Sequence, residues 1–218
     1  MKLIDWLLDL LFPPKCVFCR KLLDSRETDL CARCRQSLPK TEGEIKAIRF
    51  CEEAFSLYYY EDKVPESVRR YKFSGMQNYG AVYGKLLALE ILRRKIPFDL
   101  VTFVPVSAKR RKKRGFDQSE LMAQTIGNEL DVPVYRCLTK DKDNPPQSGL
   151  KSSDLRAVNV LGVYSPYRPE RYREKKILLI DDVLTTGATV SECCATLRIA
   201  GASEVRCLTL AAARKLYK

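Results

Sequence analysis

The residues with the most evident chemistry are two adjacent carboxylates, Asp181 and Asp182, and the hydroxyl-rich segment that follows them. A carboxylate pair can accept hydrogen bonds from the two hydroxyls of a ribose. Hydroxyls and backbone N–H groups at a helix N-terminus favour a phosphate, and a glycine there permits close approach or a positive φ. The pattern therefore predicts a ribose 5-phosphate site, with the phosphate on Thr185, Thr186, Gly187, Ala188 and Thr189.

A buried strand and a helix must position these groups. Ile177–Ile180 is an unbroken apolar run, which is typical of a central parallel strand covered on both faces. Ligands of open α/β sheets bind beyond the carboxyl ends of such strands, where the two aspartates follow. Ser191–Ala200 is compatible with a helix that would begin at the same place.

Two other interpretations of this strand are open. The magnesium-holding strand of nucleotide triphosphatases also ends in acidic residues, but those enzymes need a G-x-x-x-x-G-K-[ST] loop. Gly75 and Gly80 have that spacing but are followed by Ala81, and the pair Gly80 and Gly84 is one residue short. A purely structural strand, cap and helix remains the second alternative, although one capping hydroxyl would serve it.

The segment Asp181–Thr189 resembles the phosphoribosyl pyrophosphate (PRPP) signature of type I phosphoribosyltransferases. More narrowly, the chain resembles the ComF competence-protein family, in which a cysteine-rich N-terminal module precedes such a domain. The resemblance includes Tyr71–Gly75, Val104–Ser107, Arg114–Gln118 and Gln147–Asn159. It implies an α/β fold, a type I phosphoribosyltransferase-like parallel sheet flanked by helices. We expect residues 1–50 to form an N-terminal helix and zinc module, and residues 51–218 to form the phosphoribosyltransferase-like domain.

The resemblance also implies roles for individual residues. Asp181 and Asp182 would hold the ribose and Mg²⁺ of PRPP. A loop after the apolar run Leu100–Val106 would bind pyrophosphate, with Arg114 and Gly115 opening the next helix, Ser119–Leu130. The implied pyrophosphate or anion site comprises Lys72, Val106, Ser107, Arg110, Arg114 and Gly115. This chain has Asp117 where the family usually has asparagine, so a role for an amide is not expected there.

The polar stretch Lys140–Val160 is long for a connection inside a domain. Such stretches are typically functional lids or disordered segments. By resemblance, it is the mobile loop that closes over PRPP and excludes water, with Gln147, Arg156 and Asn159 matching the family pattern. A surface loop without a function is the alternative. We expect Arg156→Ala to weaken PRPP binding without unfolding the protein.

The chain is strongly basic, with 39 lysines and arginines against 27 acidic residues and a formal net charge of +12. Six consecutive cations are candidates for pyrophosphate or single-stranded DNA binding. They are Lys109, Arg110, Arg111, Lys112, Lys113 and Arg114. Solvation is the alternative for Lys112 and Lys113. Tyr71–Phe73 interleaves aromatic and basic residues as a single-strand stacking surface would, although packing of the aromatics in the core is favoured.

Histidine is absent from the sequence. This excludes the ordinary Ser-His-Asp and Cys-His nucleophile systems and any histidine-ligated metal. Chemistry would therefore depend on carboxylates, lysines, arginines and a metal ion. Phosphoribosyl transfer is compatible with these groups, because positioning and charge neutralisation supply much of the catalysis.

Cys16, Cys19, Cys31 and Cys34 form two C-x-x-C pairs, which predict a structural zinc site. A redox dithiol or a disulfide framework is the weaker alternative, because no secretory signal precedes the pairs. The other cysteines lack paired spacing, and we expect them to be mostly buried small apolar residues. They are Cys51, Cys137, Cys193, Cys194 and Cys207.

Met1–Phe12 has apolar residues at helical spacing around Asp5 and Asp9. It is too short and too acidic to span a membrane. Packing on its own domain is favoured over an interfacial or partner-binding helix. We expect a cytoplasmic protein, with peripheral attachment to the membrane as a further possibility.

Two functions remain open at this level. The first is a DNA-uptake protein of natural transformation that binds single-stranded DNA and PRPP. The resemblance implies that other DNA-uptake proteins at the inner face of the membrane are its partners. The alternative is an active Mg²⁺-dependent phosphoribosyltransferase with no direct DNA role, for which the sequence identifies no acceptor.

Overall fold

The computed structural model describes residues 13–24, 27–45, 48–141 and 162–217. The predicted N-terminal helix Met1–Phe12 lies outside these residues. So do the three residues assigned to a mobile loop, Gln147, Arg156 and Asn159.

The described residues contain six strands and six α-helices. The strands are β1 (Ala54–Tyr59), β2 (Leu100–Phe103), β3 (Leu138–Lys140), β4 (Tyr164–Pro166), β5 (Lys176–Leu184) and β6 (Glu204–Ala212). The helices are α1 (Ala32–Ser37), α2 (Val64–Phe73), α3 (Asn78–Arg94), α4 (Ala108–Arg114), α5 (Gln118–Leu130) and α6 (Ala188–Ile199). Short 3-10 helices lie at Pro169–Arg171 and Arg214–Tyr217.

The main sheet is parallel, in the order β1-β6-β5-β2. β3 and β4 form a separate antiparallel pair. The apolar run predicted as a central strand is confirmed, since β5 lies between β2 and β6 and Leu178, Leu179 and Ile180 are fully buried. The predicted parallel sheet flanked by helices is therefore the observed fold.

The two faces of β5 contribute to two different parts of the core. Leu178 and Ile180 lie in the cluster formed with α2, α3 and α5. Ile177 and Leu179 lie in the cluster formed with α6 and the β3–β4 pair. Because alternate side chains of a strand point to opposite faces, burial on both faces requires the continuous apolar run seen in the sequence.

Strand β5 is longer than expected, and the difference decides where the carboxylates lie. We expected Asp181 and Asp182 to follow the strand, but β5 continues through them to Leu184. β2 ends at Phe103, which pairs with Ile180. Beyond Ile180, β5 is paired only with β6 among the described strands. The carboxylates therefore lie just past the end of β2, on the part of β5 that β2 no longer covers.

The run of six cations is a helix, and the expectation that it forms a loop was wrong. Ser107 caps α4 by accepting a hydrogen bond from Arg110 N at 3.3 Å, and Gly115 ends the helix with φ 82°. Arginine, lysine and alanine favour helix formation, which explains the outcome. Arg114 and Gly115 therefore close α4, and Asp117 is the residue that caps α5.

Several other predictions can be compared directly with the structure. The helices predicted at Ser119–Leu130 and Ser191–Ala200 are confirmed as α5 and α6, although α6 begins earlier, at Ala188, and the apolar run Leu100–Val106 leaves the sheet at Phe103. Of the five unpaired cysteines, four are fully buried and Cys51 is partly exposed. No helix among the described residues is long and apolar enough to cross a membrane.

The cysteine-rich segment packs into the same core as the sheet. The Phe18 ring contacts the rings of Tyr58 and Tyr83 at centroid distances of 5.5 and 5.8 Å. Arg70 of α2 donates hydrogen bonds to the carbonyl oxygens of Val17 and Phe18 at 3.0 and 2.7 Å. The turn between Cys16 and Cys19 is therefore bound to α2 by hydrogen bonds and to β1 and α3 by aromatic contacts.

Candidate functional site

The two carboxylates are held by groups from separate helices. Asp181 Oδ1 accepts hydrogen bonds from Ser119 Oγ on α5, at 3.1 Å, and from Asp182 N, at 2.9 Å. Asp182 Oδ1 forms an ion pair with Lys72 Nζ on α2, at 2.8 Å. The side chains of Lys72 and Asp182 are 22% and 11% exposed, so the pair is largely shielded from water. Side chains from α2, α5 and β5 thus meet near the carboxyl end of β5.

Burial gives Asp181 an unusual affinity for protons. Desolvation, together with the charge of Asp182, raises the pKa of Asp181 from 3.8 to about 7, against the opposing effect of Lys72. Near neutral pH, a proton therefore occupies Asp181 in a sizeable fraction of molecules. A cationic ligand, or a ligand rich in hydroxyl donors, would stabilise the ionised form and displace this proton.

The segment predicted to bind the 5-phosphate leads directly into α6. Gly187 has φ 81° and is the cap residue of α6, which confirms that glycine's freedom is needed there. Thr186 Oγ1 accepts a hydrogen bond from Ala188 N at 3.4 Å. The start of a helix of this length is favourable for an anion.

The residues assigned to pyrophosphate already make hydrogen bonds within the protein. Arg114 Nη1 donates to Gln118 Oε1 at 2.6 Å, which fixes its guanidinium between α4 and α5. Val106 N donates to Asp117 Oδ2 at 2.8 Å, and Ser107 caps α4. Anion binding through the backbone of Val106 would therefore compete with an existing hydrogen bond.

The structure shows what the Asp117 carboxylate does at the start of α5. Oδ2 accepts from Val106 N, and Oδ1 accepts from Ser119 N and Glu120 N at 3.2 and 3.3 Å. The side chain is buried, and burial raises the pKa of Asp117. Because an amide offers one acceptor oxygen, asparagine could not accept at both positions. Here the residue orders the start of α5, which carries Ser119.

The cations of α4 are not equivalent. Arg111 forms an ion pair with Glu120 at 3.0 Å. Lys112 and Lys113 are exposed on the outer side of the helix. Arg114 is partly buried and lies over the ring of Phe73, 5.0 Å from its centroid. α4 thus presents a solvated basic face and, at its end, one partly buried cation that packs on Phe73.

The sequence prediction omitted Ser119, Gln118 and Asp117 from the site. Ser119 contacts Asp181 across 62 residues of sequence, and no local pattern indicates that contact. Two signals were available: Asp117 and Gln118 belong to the segment Arg114–Gln118 that carries the resemblance, and all three residues lie at the start of a predicted helix, where polar ligands commonly bind.

The four paired cysteines come together as predicted. Their sulfur atoms lie within 4.8 Å of one another, and Cys19 Sγ and Cys31 Sγ are 3.6 Å apart. A tetrahedral zinc ion with sulfurs at about 2.3 Å would separate them by about 3.8 Å, so the cluster fits zinc. Cys34 N also donates to Cys31 Sγ at 3.5 Å, as backbone amides do to metal-bound thiolates.

Cations surround the cysteine cluster. Lys63 Nζ lies 4.0 Å from Cys34 Sγ. An open cavity of about 520 Å³ beside the cluster is lined by Cys19, Arg20, Lys21, Cys31, Arg33 and Lys63. Zinc with four thiolates has a net charge of about −2, which these cations would offset.

Comparison with known proteins identifies two families along the chain. Residues 116–218 match the phosphoribosyl transferase domain family, and residues 7–46 match the double zinc ribbon domain family. The second match spans all four clustered cysteines.

Curated relatives align with most of the chain. Competence protein F of Haemophilus influenzae is 27% identical and aligns over 91% of this chain and 97% of its own length. The DNA utilization protein YhgH of Escherichia coli is 27% identical over 88% and 87% of the two chains. Competence protein ComFC of Streptococcus pneumoniae is 29% identical over 71% and 66%.

Among solved structures, the glutamine PRPP amidotransferase of B. subtilis matches with a TM-score of 0.44 and 25% identity. The match covers 61% of this chain and 26% of that enzyme.

Proposed function

This chain belongs to the ComF family of competence proteins, and on that premise we propose that it is a DNA-uptake protein that binds PRPP and single-stranded DNA. We further propose that it has two parts, residues 1–50 and 51–218, and that other DNA-uptake proteins at the inner face of the membrane are its partners.

The observation that carries PRPP binding is the grouping of Asp181, Asp182 and Lys72 beside the start of α6. The ribose hydroxyls would donate to the carboxylates, and the 5-phosphate would bind at Thr185–Thr189. Pyrophosphate would draw Lys72 away from Asp182, with Arg114 as a second cation. Asp181 and Asp182 are the described residues that would hold Mg²⁺, whose charge would offset that of the pyrophosphate.

The test is a calorimetric titration of the zinc-loaded protein with PRPP and Mg²⁺. We expect wild type to bind in the micromolar range, and the double variant Asp181→Asn, Asp182→Asn to lose binding. Asp131→Asn makes the same change at an exposed carboxylate that ends α5 with φ 52°, a conformation that asparagine adopts readily. This control should bind like wild type. Absence of heat with folded wild type would contradict a PRPP site.

Single-stranded DNA binding is supported by α4. Its outer face carries Lys112 and Lys113 without nearby acidic partners on the helix itself, since the segment Ala108–Arg114 contains only alanine and cations. The helix lies at the same end of the sheet as the carboxylates, because it follows β2. A single DNA strand that crosses α4 would therefore pass close to the proposed PRPP site.

Salt dependence tests this second ligand. Each phosphate neutralised on a single strand contributes about −0.7 to the slope of log K against log salt concentration. The variant Lys112→Gln, Lys113→Gln should therefore bind a labelled oligonucleotide with a slope shallower by up to about 1.4. Lys95→Gln, Lys175→Gln removes the same charge from exposed positions near the amino ends of β2 and β5 and should retain the wild-type slope. If the two variants had the same slope of log K against log salt concentration, α4 would not be part of the DNA-binding surface.

The alternative is a Mg²⁺-dependent phosphoribosyltransferase that has no direct DNA role. This alternative is favoured because the sequence has both groups expected to bind PRPP, the two carboxylates and the threonine and glycine segment. Release of pyrophosphate from PRPP that depends on an added amine or nucleobase would support it. PRPP binding without such release would favour a binding function.

A further inference from the structure

Two aromatic residues at the end of α2 have opposite environments. Tyr71 is fully buried, and its hydroxyl donates to Gln118 O at 2.8 Å. Phe73, two residues later, is 66% exposed. Core packing, the favoured expectation for this segment, is therefore correct for Tyr71 and wrong for Phe73. An isolated exposed phenylalanine is ordinary in proteins, so its neighbours must decide whether it has a role.

The neighbours of Phe73 are cationic and fixed in place. The Arg114 guanidinium lies 5.0 Å from the centroid of the Phe73 ring and donates a hydrogen bond to Gln118 Oε1. Lys72, the preceding residue, is bound to Asp182. The ring is thus an apolar surface at the edge of the proposed PRPP site, between the carboxylates and the basic face of α4.

This combination matches one kind of ligand. A nucleobase presents a planar π face, and the phosphates joined to it carry negative charge. Bases of single strands stack on aromatic rings without regard to sequence, and cations track their backbone. An isolated inorganic anion has no planar face and could not stack on the ring.

We propose that Phe73 is a stacking platform for one base of single-stranded DNA, with Arg114 and α4 receiving the neighbouring phosphates. This inference rests on the proposed DNA binding and names the surface that performs it. A strand held in this way would bring a base to the edge of the PRPP site.

The chain offers a matched control. Phe50 is 63% exposed, and its neighbours Ile48 and Cys51 pack in the cluster on the α6 face of the sheet, opposite to the cluster that contains Tyr71. No cation stacks on the Phe50 ring within the described part of the chain. Phe50→Ser and Phe73→Ser therefore delete similar exposed rings without changing charge.

The experiment measures binding of a labelled oligothymidine by fluorescence anisotropy at fixed salt. Phe73→Ser should weaken binding about tenfold, as expected for the loss of one stacked base, while Phe50→Ser should not. The same measurement on an abasic strand of equal length should show no difference between Phe73→Ser and wild type. Equal affinities of wild type and Phe73→Ser for the oligothymidine would overturn the platform while leaving DNA binding intact.

A second variant reports stacking directly. Trp6→Phe removes the single tryptophan of the chain, and Phe73→Trp in that background introduces an indole at the proposed platform. Its fluorescence should be quenched by oligothymidine and not by the abasic strand. Quenching by both strands, or by neither when anisotropy shows binding, would contradict stacking. If wild type bound neither strand, the proposed DNA function would fail as well.

Discussion

At the scale of single residues, the carboxylate pair shows how position changes the chemistry of an ordinary side chain. Asp181 and Asp182 are adjacent, yet one is bonded to a hydroxyl and the other to an ammonium group. The charge of Lys72 stabilises Asp182, whereas burial and the neighbouring charge disfavour ionisation of Asp181. Asp181 therefore carries a proton in a sizeable fraction of molecules near neutral pH.

We predict that Asp181 makes the ligand-free protein less stable as the pH rises from about 4 to about 7. An acid whose pKa is higher in the folded than in the unfolded protein contributes stability that is complete below the unfolded value and is lost as the pH rises through the folded value. Those values are 3.8 and about 7. Asp181→Asn removes this term, so its free energy of unfolding relative to wild type should increase over that pH interval.

Urea denaturation of both proteins between about pH 5.5 and about pH 8 measures the difference. Groups other than Asp181 titrate in both proteins, so their contributions largely cancel. Asp99→Asn, at an exposed carboxylate near the amino end of β5, is the control and should show a flat difference. A flat difference for Asp181→Asn would mean that the pKa of Asp181 is close to normal in the folded protein.

At the scale of elements, the site depends on how closely α3 and α5 pack. Gly80 and Gly84 of α3 face α5, and a Cβ at Gly80 would lie 2.9 Å from Leu121 Cβ. A Cβ at Gly84 would lie 2.8 Å from Thr125 Cγ2 and 2.9 Å from the Met122 carbonyl oxygen. The glycines therefore set the distance between the helices, and α5 carries Ser119 toward Asp181.

We predict that Gly84→Ala lowers the free energy of unfolding by about 1–3 kcal/mol, the usual cost of overpacking. The added methyl would meet backbone as well as side-chain atoms, so rotation of Thr125 alone cannot relieve the contact. PRPP binding should weaken too, because α5 would shift at its N-terminus. Ala81→Ser, on the exposed side of the same helix, is the control for urea denaturation and calorimetry. Unchanged stability of Gly84→Ala would show that the two helices are less tightly packed than described.

At the scale of the whole molecule, the cysteine cluster is linked to the carboxylate site through α2. Ser67 Oγ donates to Val17 O at 2.5 Å, and Arg70 donates to the same carbonyl. The last turn of the same helix carries Lys72, the partner of Asp182. Zinc binding would therefore order one end of α2 and, through it, a cation of the proposed PRPP site.

We predict that Cys16→Ser reduces zinc content, lowers the melting temperature by several degrees and weakens PRPP binding. A structural zinc contributes its binding free energy to folding, and the loss of one thiolate removes most of it. Metal analysis, calorimetry and PRPP titration measure these three effects. Substitution is preferable to a chelator, which would also remove Mg²⁺. Cys51→Ser changes a partly exposed cysteine outside the cluster and should retain zinc. Normal PRPP affinity in zinc-free Cys16→Ser would disprove the link through α2.

Much of this architecture follows from local sequence patterns. The continuous apolar run of β5, the two C-x-x-C pairs and the threonine and glycine segment before α6 are each encoded within a few residues. Hydrophobic periodicity and ligand spacing act over such distances, so the parallel sheet and the cysteine cluster were predictable. Local helix propensity also favours α4, but the run of cations was assigned from the ligand that the resemblance implies, and the helix was therefore missed.

Contacts between distant residues were decided by the tertiary structure alone. Lys72 and Asp182 are 110 residues apart, and Ser119 and Asp181 are 62 residues apart. Burial of Tyr71 beside exposure of Phe73 likewise depends on what packs against α2. The sequence by itself determined which chemical groups are present and which elements carry them. Only the fold brought these groups within hydrogen-bonding distance, because the sheet order and helix packing arise from interactions across the whole chain.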